Sequence, residues 1–182
     1  MTAAIIGPYP RPAPAPACDA YDPRARDVAR RVAALIQESF PEVVVEHVGS
    51  TSIPGCPGKG VVDMMCLFAD GAEREAIKDM LGRLGFEHQR GANRFPEERP
   101  MRLGTLEHEG TTFLLHVHVI PADSGEAAHL RRFRERLRAD AALVAAYAAR
   151  KREIIAVGVP SRDYTRLKGA FIEAVLAGEE QR

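Results

Sequence analysis

The residues with the clearest chemical potential lie at positions 46–68, in the stretch EHVGSTSIPGCPGKGVVDMMCLF. Gly49, Ser50 and Thr51 directly follow a β-branched run that is typical of a buried strand. Glycine lets the backbone approach a phosphate closely, and the two hydroxyls and local amides can donate hydrogen bonds to phosphate oxygens. Lys59 adds a positive charge at the far end of the same loop. This pattern predicts a phosphate-binding loop.

Asp63 lies in the strand that should follow this loop. A carboxylate at this place can hold Mg²⁺ against bound phosphates. Because an unpaired carboxylate in an apolar strand is costly to bury, its position favours a role in a site. A Gly-Ser dipeptide alone carries little information, but a strand on each side of the loop and an aspartate after it make a more specific pattern. We therefore predict that Asp63 is a metal ligand and a catalytic residue.

Two histidines lie in the segment FLLHVHV at positions 113–119. His116 and His118 are separated by one apolar residue, so both face the same side of the predicted strand. If that strand neighbours the strand of Asp63, the three side chains could hold Mn²⁺ or Zn²⁺. Alternatively, one histidine is a general base, or both are hydrogen-bonded structural groups. We take His116 and His118 as candidate catalytic residues and His118 as a candidate metal ligand.

Other polar residues near this region have two interpretations each. His47 precedes the loop and is expected to anchor it by hydrogen bonds rather than to act in catalysis. Tyr164 and Lys168 stand one helical turn apart and could face the same cleft. Four arginines flank a loop predicted at 91–100, where they could close over a triphosphate or be solvated; they are Arg90, Arg94, Arg99 and Arg102.

The apolar spacing predicts the elements that must position these residues. A first helix follows Asp22-Pro23, and two strands at 43–48 and 60–68 frame the loop. A hairpin is expected to turn at Glu109-Gly110, and three helices follow Pro121, the second capped by Asp140. This order predicts an α+β fold: a mixed sheet with flanking helices and a C-terminal helical segment.

Composition and charge limit the class of protein. The 182 residues fit one domain, which we place at 20–180, after a Pro/Ala-rich tail at 1–19 that is expected to be disordered. Equal numbers of basic and acidic residues, 25 of each, argue against a nucleic-acid partner. The three cysteines match no zinc or disulfide framework, and no apolar run is long enough for a membrane helix. A cytoplasmic protein without a membrane partner is therefore expected.

The stretch EHVGSTSIPGCPGKGVVD resembles the signature of the GrpB family, which is grouped with the nucleotidyltransferase-like superfamily. The resemblance covers about residues 20–175, and its further positions are Tyr21-Asp22-Pro23, His116-Val117-His118, Tyr147, Lys151, Tyr164 and Lys168. It implies a nucleotidyltransferase-like fold, an NTP as substrate or ligand, and Mg²⁺ or Mn²⁺ as cofactor.

Two positions depart from the pattern of these relatives. Gly60 follows Lys59, where the family more often has proline, and this loosens the loop. Met65 stands where the superfamily has its second carboxylate, and the third is also absent if the strand at 113–119 is the equivalent strand. Hard cations prefer oxygen ligands, and two-metal nucleotidyl transfer needs several carboxylates. These residues therefore argue against a two-metal mechanism.

The sequence leaves open whether the protein is an enzyme. The first hypothesis is a metal-dependent transferase that moves a nucleotidyl group from an NTP to a small-molecule acceptor, with the phosphates on Ser50, Thr51 and Lys59. The second is a non-catalytic module that binds a nucleotide or a phosphorylated metabolite and has lost the metal carboxylates. A third keeps the pocket for other chemistry, such as activation of an amino acid; fold alone does not decide among them.

Overall fold

Within the described residues, five strands form one mixed sheet, which is accompanied by five α-helices. The structure, a computed structural model, describes residues 6–12, 15–90 and 94–180. The strands are β1 (Val44–Val48), β2 (Val62–Phe68), β3 (Glu87–His88), β4 (Met101–His108) and β5 (Thr111–Pro121). The helices are α1 (Ala25–Ser39), α2 (Gly71–Leu84), α3 (Gly125–Ala139), α4 (Ala141–Ala156) and α5 (Ser161–Glu180). The predicted α+β class with a mixed sheet and a C-terminal helical segment is confirmed.

The spatial order of the strands is β1-β2-β5-β4-β3, and only the β2–β5 pair is parallel. This pairing places Asp63 opposite His116 and Met65 opposite His118. β1 lies at the edge of the sheet, where 49% of the surface of Val44 is exposed. The β-branched run at 43–48 therefore marks a half-covered edge strand, and the expectation of a buried strand is wrong for part of it.

The two faces of the sheet have different neighbours. α1 and α2 cover one face, and their apolar residues pack against Met64, Cys66 and Val117 in the largest core cluster. On the opposite face, Met65 and Leu67 pack with Ala127 of α3 in a smaller cluster. α3, α4 and α5 also pack on one another, and residues from the loop after β1 join them. The polar residues of β2 and β5 lie on this second face, below the C-terminal helices.

Local signals set several element ends. Asp140 accepts hydrogen bonds from the backbone amides of Ala142 and Leu143, so the predicted cap of α4 is confirmed. The β4–β5 hairpin turns at Glu109 and Gly110, whose φ angles are 49° and 71°. Two positive φ angles in a two-residue loop match the twist of antiparallel strands. The predicted turn is therefore confirmed.

Part of the Pro/Ala-rich stretch packs on the domain. Gly7 pairs with Thr105 of β4 in an isolated antiparallel bridge, and Asp19 pairs with Gly58 in another. Only 3% of the surface of Ile6 is exposed, and it belongs to the main core. The disordered tail at 1–19 stays a prediction, but Ile6, Gly7 and Asp19 of this stretch contact the domain in the structure. Residues 1–5 and 13–14 lie outside the described residues.

Within the described residues, no helix is both apolar enough and long enough to cross a membrane.

Candidate functional site

Asp63 of β2 and two histidines of β5 form one polar cluster. Because Asp63 and His116 are register partners in parallel strands, their side chains and that of His118 share a face of the sheet. Oδ1 of Asp63 lies 3.3 Å from Nδ1 of His116 and 3.8 Å from Nε2 of His118. One potential ligand atom from each residue lies within 4.8 Å of the others. The structure thus brings together the three residues that the sequence pattern singles out.

The electrostatics of the cluster keep Asp63 ionised. Burial by itself raises the pKa of the Asp63 carboxyl, but hydrogen bonds and charge interactions with His116 and His118 outweigh it and hold that pKa well below its usual range. Burial lowers the pKa of His118, and the neighbouring Arg99 adds to this effect against the pull of Asp63. The cluster therefore offers a carboxylate and imidazole nitrogen atoms.

The outer nitrogen atoms of the two imidazoles have different partners. Nε2 of His116 lies 3.0 Å from the hydroxyl of Tyr9. Nδ1 of His118 lies 3.3 Å from Nη1 of Arg99, whose guanidinium also pairs with Glu126. A tyrosine hydroxyl can donate or accept a hydrogen bond, whereas arginine only donates. Tyr9 thus suits either tautomer of His116, while Arg99 requires that Nδ1 of His118 accepts.

One carboxylate and two imidazoles are a donor set that suits Mn²⁺ or Zn²⁺. Mg²⁺ prefers oxygen ligands and near-octahedral geometry. A divalent transition metal fits the inner edge of this cluster better than Mg²⁺ does. At His118, binding through Nε2 places the ring proton on Nδ1, so Arg99 has to turn away from that nitrogen when a metal binds.

The loop after β1 places Gly49 directly against Asp63. Gly49 has φ 69° and ψ −174°, a backbone conformation that is essentially restricted to glycine. A Cβ atom at this position would lie 2.4 Å from Oδ2 of Asp63. A Cβ atom at Gly58 would similarly lie 2.5 Å from Oγ of Ser50. Gly49 lets the start of the loop lie against the carboxylate, and Gly58 lets the end of the loop approach Ser50.

The Thr51 side chain does not point to the pocket. Its hydroxyl donates to the backbone oxygen of Val61 at 3.0 Å and lies 2.9 Å from Nε2 of His47. Since the hydroxyl proton is used on Val61, His47 donates to the Thr51 oxygen. The prediction that the Thr51 hydroxyl binds phosphate is therefore not supported by its position, because the buried hydroxyl ties the two ends of the loop together. His47 has the anchoring position that the sequence favours.

Two lysines meet over one aromatic ring at the mouth of the loop. Nζ of Lys59 lies 5.8 Å from the centre of the Tyr164 ring, and Nζ of Lys168 lies 5.7 Å from it. Burial lowers the pKa of Lys59, and repulsion from Lys168 adds to this shift while Asp63 opposes it. Burial raises the pKa of Tyr164 to about 12. Two neighbouring ammonium groups favour the approach of an anion at this place.

Lys151 of α4 is buried behind the same loop. Its Nζ donates to the backbone oxygen of Pro57 and lies 3.6 Å from Sγ of Cys56. It also lies 4.3 Å from the centre of the Tyr147 ring. Burial lowers the pKa of Lys151. Lys151 therefore anchors the loop at Pro57. It also adds a third positive group to the surroundings of the loop.

A cavity of 580 Å³ connects the loop, the lysines and the polar cluster. Among its described lining residues, Asp63 and Glu126 are the carboxylates. The polar residues predicted from the sequence that line it are Gly49, Ser50, Lys59, Asp63, His116, His118, Arg99, Tyr164 and Lys168. A second cavity of 690 Å³ lies between the loop and α4, but its lining is mostly alanine, proline and valine, with two arginines. We place the functional site in the first, since it contains the convergent polar groups.

The arginines near the predicted loop at 91–100 separate in the structure. Arg99 lines the cavity and stacks on Phe95, with its guanidinium carbon 4.0 Å from the ring centre. Arg102 is buried on the other face of β4 and pairs with Glu97. Arg90 and Arg94 are exposed, and residues 91–93 lie outside the described part of the chain. Only Arg99 fits the expectation of a side chain that closes over a ligand.

The position of the second superfamily carboxylate is filled by a core residue. Met65 has no exposed surface and packs with Val48, Leu67 and Ile120. Glu46, the register partner of Met65 on β1, turns away and pairs with Arg131 and Arg134 of α3. The part of β2 beyond Asp63 therefore serves as the packing surface for α3.

The sequence profile of the GrpB protein family matches residues 16–178. The chain belongs to the GrpB family. UPF0157 proteins of Vibrio cholerae and Streptomyces coelicolor are 30% and 31% identical to it over 158 residues each. These alignments cover 87% and 86% of this chain and 79% and 78% of the two relatives.

A solved structure of a GrpB protein shares the fold. The crystal structure of the conserved protein GrpB from Enterococcus faecalis has a TM-score of 0.66 and 22% identity, and the match covers 87% of this chain and 94% of that one. The Cid1 poly(U) polymerase with MgGTP bound has a TM-score of 0.45 and 17% identity over 72% of this chain and 44% of that one. The resemblance to the GrpB family that the sequence predicts is thus confirmed.

Sequence reasoning missed two residues that border the cluster. Tyr9 lies in a stretch whose prolines predict disorder, although Ile5, Ile6 and Tyr9 are large apolar residues in an otherwise Pro/Ala-rich segment. Glu126 starts α3, where a glutamate is typical of a first helical turn and carries no signal of a site. The apolar residues of the tail were the available signal for a packed segment.

Proposed function

We propose that this GrpB-family chain is a metal-dependent transferase that binds an NTP and moves its nucleotidyl group to a small-molecule acceptor. The observation that carries this proposal is the convergence, in one cavity, of the Asp63–His116–His118 cluster with the lysines above it. A triphosphate and a divalent ion are the ligands that such opposite charges would hold together.

The residues have separate parts in this proposal. Lys59 and Lys168 bind the phosphates, and the Ser50 hydroxyl donates to a phosphate oxygen at the start of the loop. Asp63, His116 and His118 hold a single divalent ion, which would neutralise charge on the phosphate oxygens. In nucleotidyl transfer an acceptor oxygen attacks the α-phosphorus and pyrophosphate leaves. Arg99, freed from His118, faces the same cavity and binds the developing negative charge.

Thermal shift and calorimetric titration with the four NTPs, each with and without Mn²⁺, test the binding part of the proposal. A ligand that binds the folded state raises the melting temperature. We expect stabilisation by at least one NTP that is strengthened by Mn²⁺ and lost in Asp63→Asn. If no NTP stabilises the wild-type chain with Mn²⁺, Zn²⁺ or Mg²⁺, the proposal is wrong.

A second function is favoured by Met65. With a packed methionine in place of the second carboxylate, the site offers one metal ligand set rather than two. A module that binds a nucleotide or a phosphorylated metabolite without turnover needs no second metal. Release of pyrophosphate from a bound NTP, measured with a pool of amino acids, amino sugars and nucleosides as acceptors, separates the two functions. Tight binding without pyrophosphate release supports the module.

A further inference from the structure

We propose that Tyr9 is a positioning residue for the metal centre: it holds the His116 ring so that Nδ1 faces Asp63. This inference rests on the metal site of the proposed function and adds a residue to it. The observation behind it is a hydrogen bond between the Tyr9 hydroxyl and Nε2 of His116, whose atoms lie 3.0 Å apart. The two rings also contact each other, with centres 5.6 Å apart.

The hydroxyl suits both states of His116. In the metal-free protein, the 3.3 Å separation of Nδ1 of His116 from Oδ1 of Asp63 favours a proton on Nδ1, and Nε2 then accepts from the Tyr9 hydroxyl. When a metal takes the lone pair of Nδ1, the ring proton sits on Nε2 and the Tyr9 oxygen accepts it. A histidine that ligates a metal usually donates its other N–H to such a partner, which fixes its tautomer and orientation.

His118, in the same centre, has no such partner that can both donate and accept a hydrogen bond at its outer nitrogen. Its outer nitrogen faces Arg99, which has no acceptor atom. A ligating His118 therefore needs Arg99 to move, whereas a ligating His116 needs no change in Tyr9. His116 is the ligand whose surroundings already match the metal-bound state.

Contacts of the residues next to Tyr9 hold its backbone in place. Gly7 exchanges two backbone hydrogen bonds with Thr105, both of 2.9 Å. Ile6 fills a space above Gly104, where a Cβ atom would lie 2.4 Å from Cγ2 of Ile6. Arg11 pairs with Glu87 at 2.7 Å on the far side of Tyr9. Contacts on both sides of Tyr9 thus fix the backbone that carries it.

The segment with Tyr9 lies outside the matched part of the family, because the GrpB profile begins at residue 16. The Asp63 and histidine positions lie within the match. The positioning hydroxyl is therefore supplied by a segment that precedes the family-matched domain and folds back over its site.

Nuclear magnetic resonance of the full chain with ¹⁵N-labelled histidine tests the role of Tyr9 directly. Tyr9→Phe removes only the hydroxyl and keeps the ring, and Tyr21→Phe is the matched control, since the Tyr21 hydroxyl is buried without a described partner. At about pH 8.5, where an ordinary imidazole is neutral, we expect one His116 tautomer with the proton on Nδ1 in the wild type and Tyr21→Phe. We expect a mixture of tautomers in Tyr9→Phe, because a ring without this hydrogen bond can flip, turn Nε2 toward Asp63 and carry its proton there. His116→Gln assigns the signal.

Zn²⁺ affinity, measured by competition with a chelating dye, is the second readout. Loss of such an outer partner costs about 10- to 100-fold in metal affinity, so Tyr9→Phe should bind Zn²⁺ at least about ten-fold more weakly than Tyr21→Phe. An unchanged His116 tautomer together with unchanged affinity would overturn the proposal. If the wild type binds no metal, the metal centre of the proposed function fails, and the tautomer comparison alone decides the role of Tyr9.

Discussion

Gly49 and Asp63 face each other so closely that a single methyl group at Gly49 would overlap the carboxylate, at 2.4 Å from Oδ2. Val48, the residue before Gly49, is the register partner of Asp63 in the β1–β2 pair. The chain leaves β1 with φ 69° at Gly49 and turns at once over the carboxylate. The position of Asp63 is therefore coupled to the absence of a side chain at Gly49, the first residue after β1.

Gly49→Ala should weaken metal binding as well as stability. The new Cβ displaces the Asp63 carboxylate, and we expect an affinity for Mn²⁺ about ten-fold or more below that of the wild type. Gly60→Ala is the matched control, since Gly60 has φ 70° but no atom within 4 Å of an added Cβ. Backbone strain should lower the free energy of unfolding of both variants by about 1–3 kcal/mol. Urea unfolding measures this loss. Equal Mn²⁺ affinity in the two variants would contradict the coupling.

His47 should make stability depend on pH between its unfolded and folded pKa values. Burial, with nearby arginines and against Asp63, lowers the pKa of His47 to about 4. The unfolded chain binds a proton near pH 6.5 and the folded chain does not until about pH 4, so stability falls as the pH decreases through this window. The full effect is about 3 kcal/mol.

The pH effect can be measured by urea unfolding of the wild type and His47→Gln. Glutamine keeps a donor toward Thr51 but does not titrate. We expect the free energy of unfolding of the wild type to fall by about 2 kcal/mol more than that of His47→Gln between pH 6.5 and pH 4.5. Parallel curves for the two proteins would mean that His47 titrates alike in both states.

Met65→Asp should destabilise the fold rather than restore a second metal ligand. Met65 has no exposed surface, and its neighbours in the cluster offer no partner for a charge. Burying an unpaired carboxylate there should cost about 4 kcal/mol or more. Met65→Leu, the control, should cost less than about 1.5 kcal/mol. A stable Met65→Asp protein that binds two metal ions would show that β2 still has room for the second carboxylate.

Lys59→Gln and Lys168→Gln should each weaken binding of inorganic triphosphate. A hydrogen bond to a charged group contributes about 1.5–3 kcal/mol, so we expect losses of roughly ten-fold or more in affinity and a weaker dependence on salt. Lys78→Gln is the control, because Lys78 pairs with Glu75 and Glu97 outside the cavity. Calorimetry at two salt concentrations measures all four proteins. Identical affinities in the three variants would remove the lysines from the site.

The cluster of Asp63, His116 and His118 could be predicted from the sequence because it depends on residue spacing within short segments. The alternation of His116 and His118 fixes a shared side of a strand, and the loop between two apolar runs places Asp63 near its mouth. The parallel pairing then needed only the assumption that the two strands are neighbours, which the structure confirms.

The surroundings of the site could not be predicted in this way. The partners of His116 and His118 come from Tyr9 and Arg99, and the separation of Tyr9 from His116 is 107 residues. Thr51 has the residue type of a phosphate binder, yet its hydroxyl bonds to Val61 and His47 because the loop folds back on itself. By sequence alone, Arg131 and Arg134 look like part of a solvated helix face. In the structure, both pair with Glu46. These roles depend on contacts between distant segments.

The parallel pairing of β2 with β5 also determines when the site can form during folding. β4 and β5 are joined by a tight turn and β1 and β2 by one loop, whereas β2 reaches β5 only after a crossover through α2, β3 and β4. Closing such a long loop costs more chain entropy and slows folding. Asp63 is therefore separated from both histidines until this late step is complete. An ion bound by Asp63, His116 and His118 would cross-link β2 and β5 and would slow the separation of these two strands.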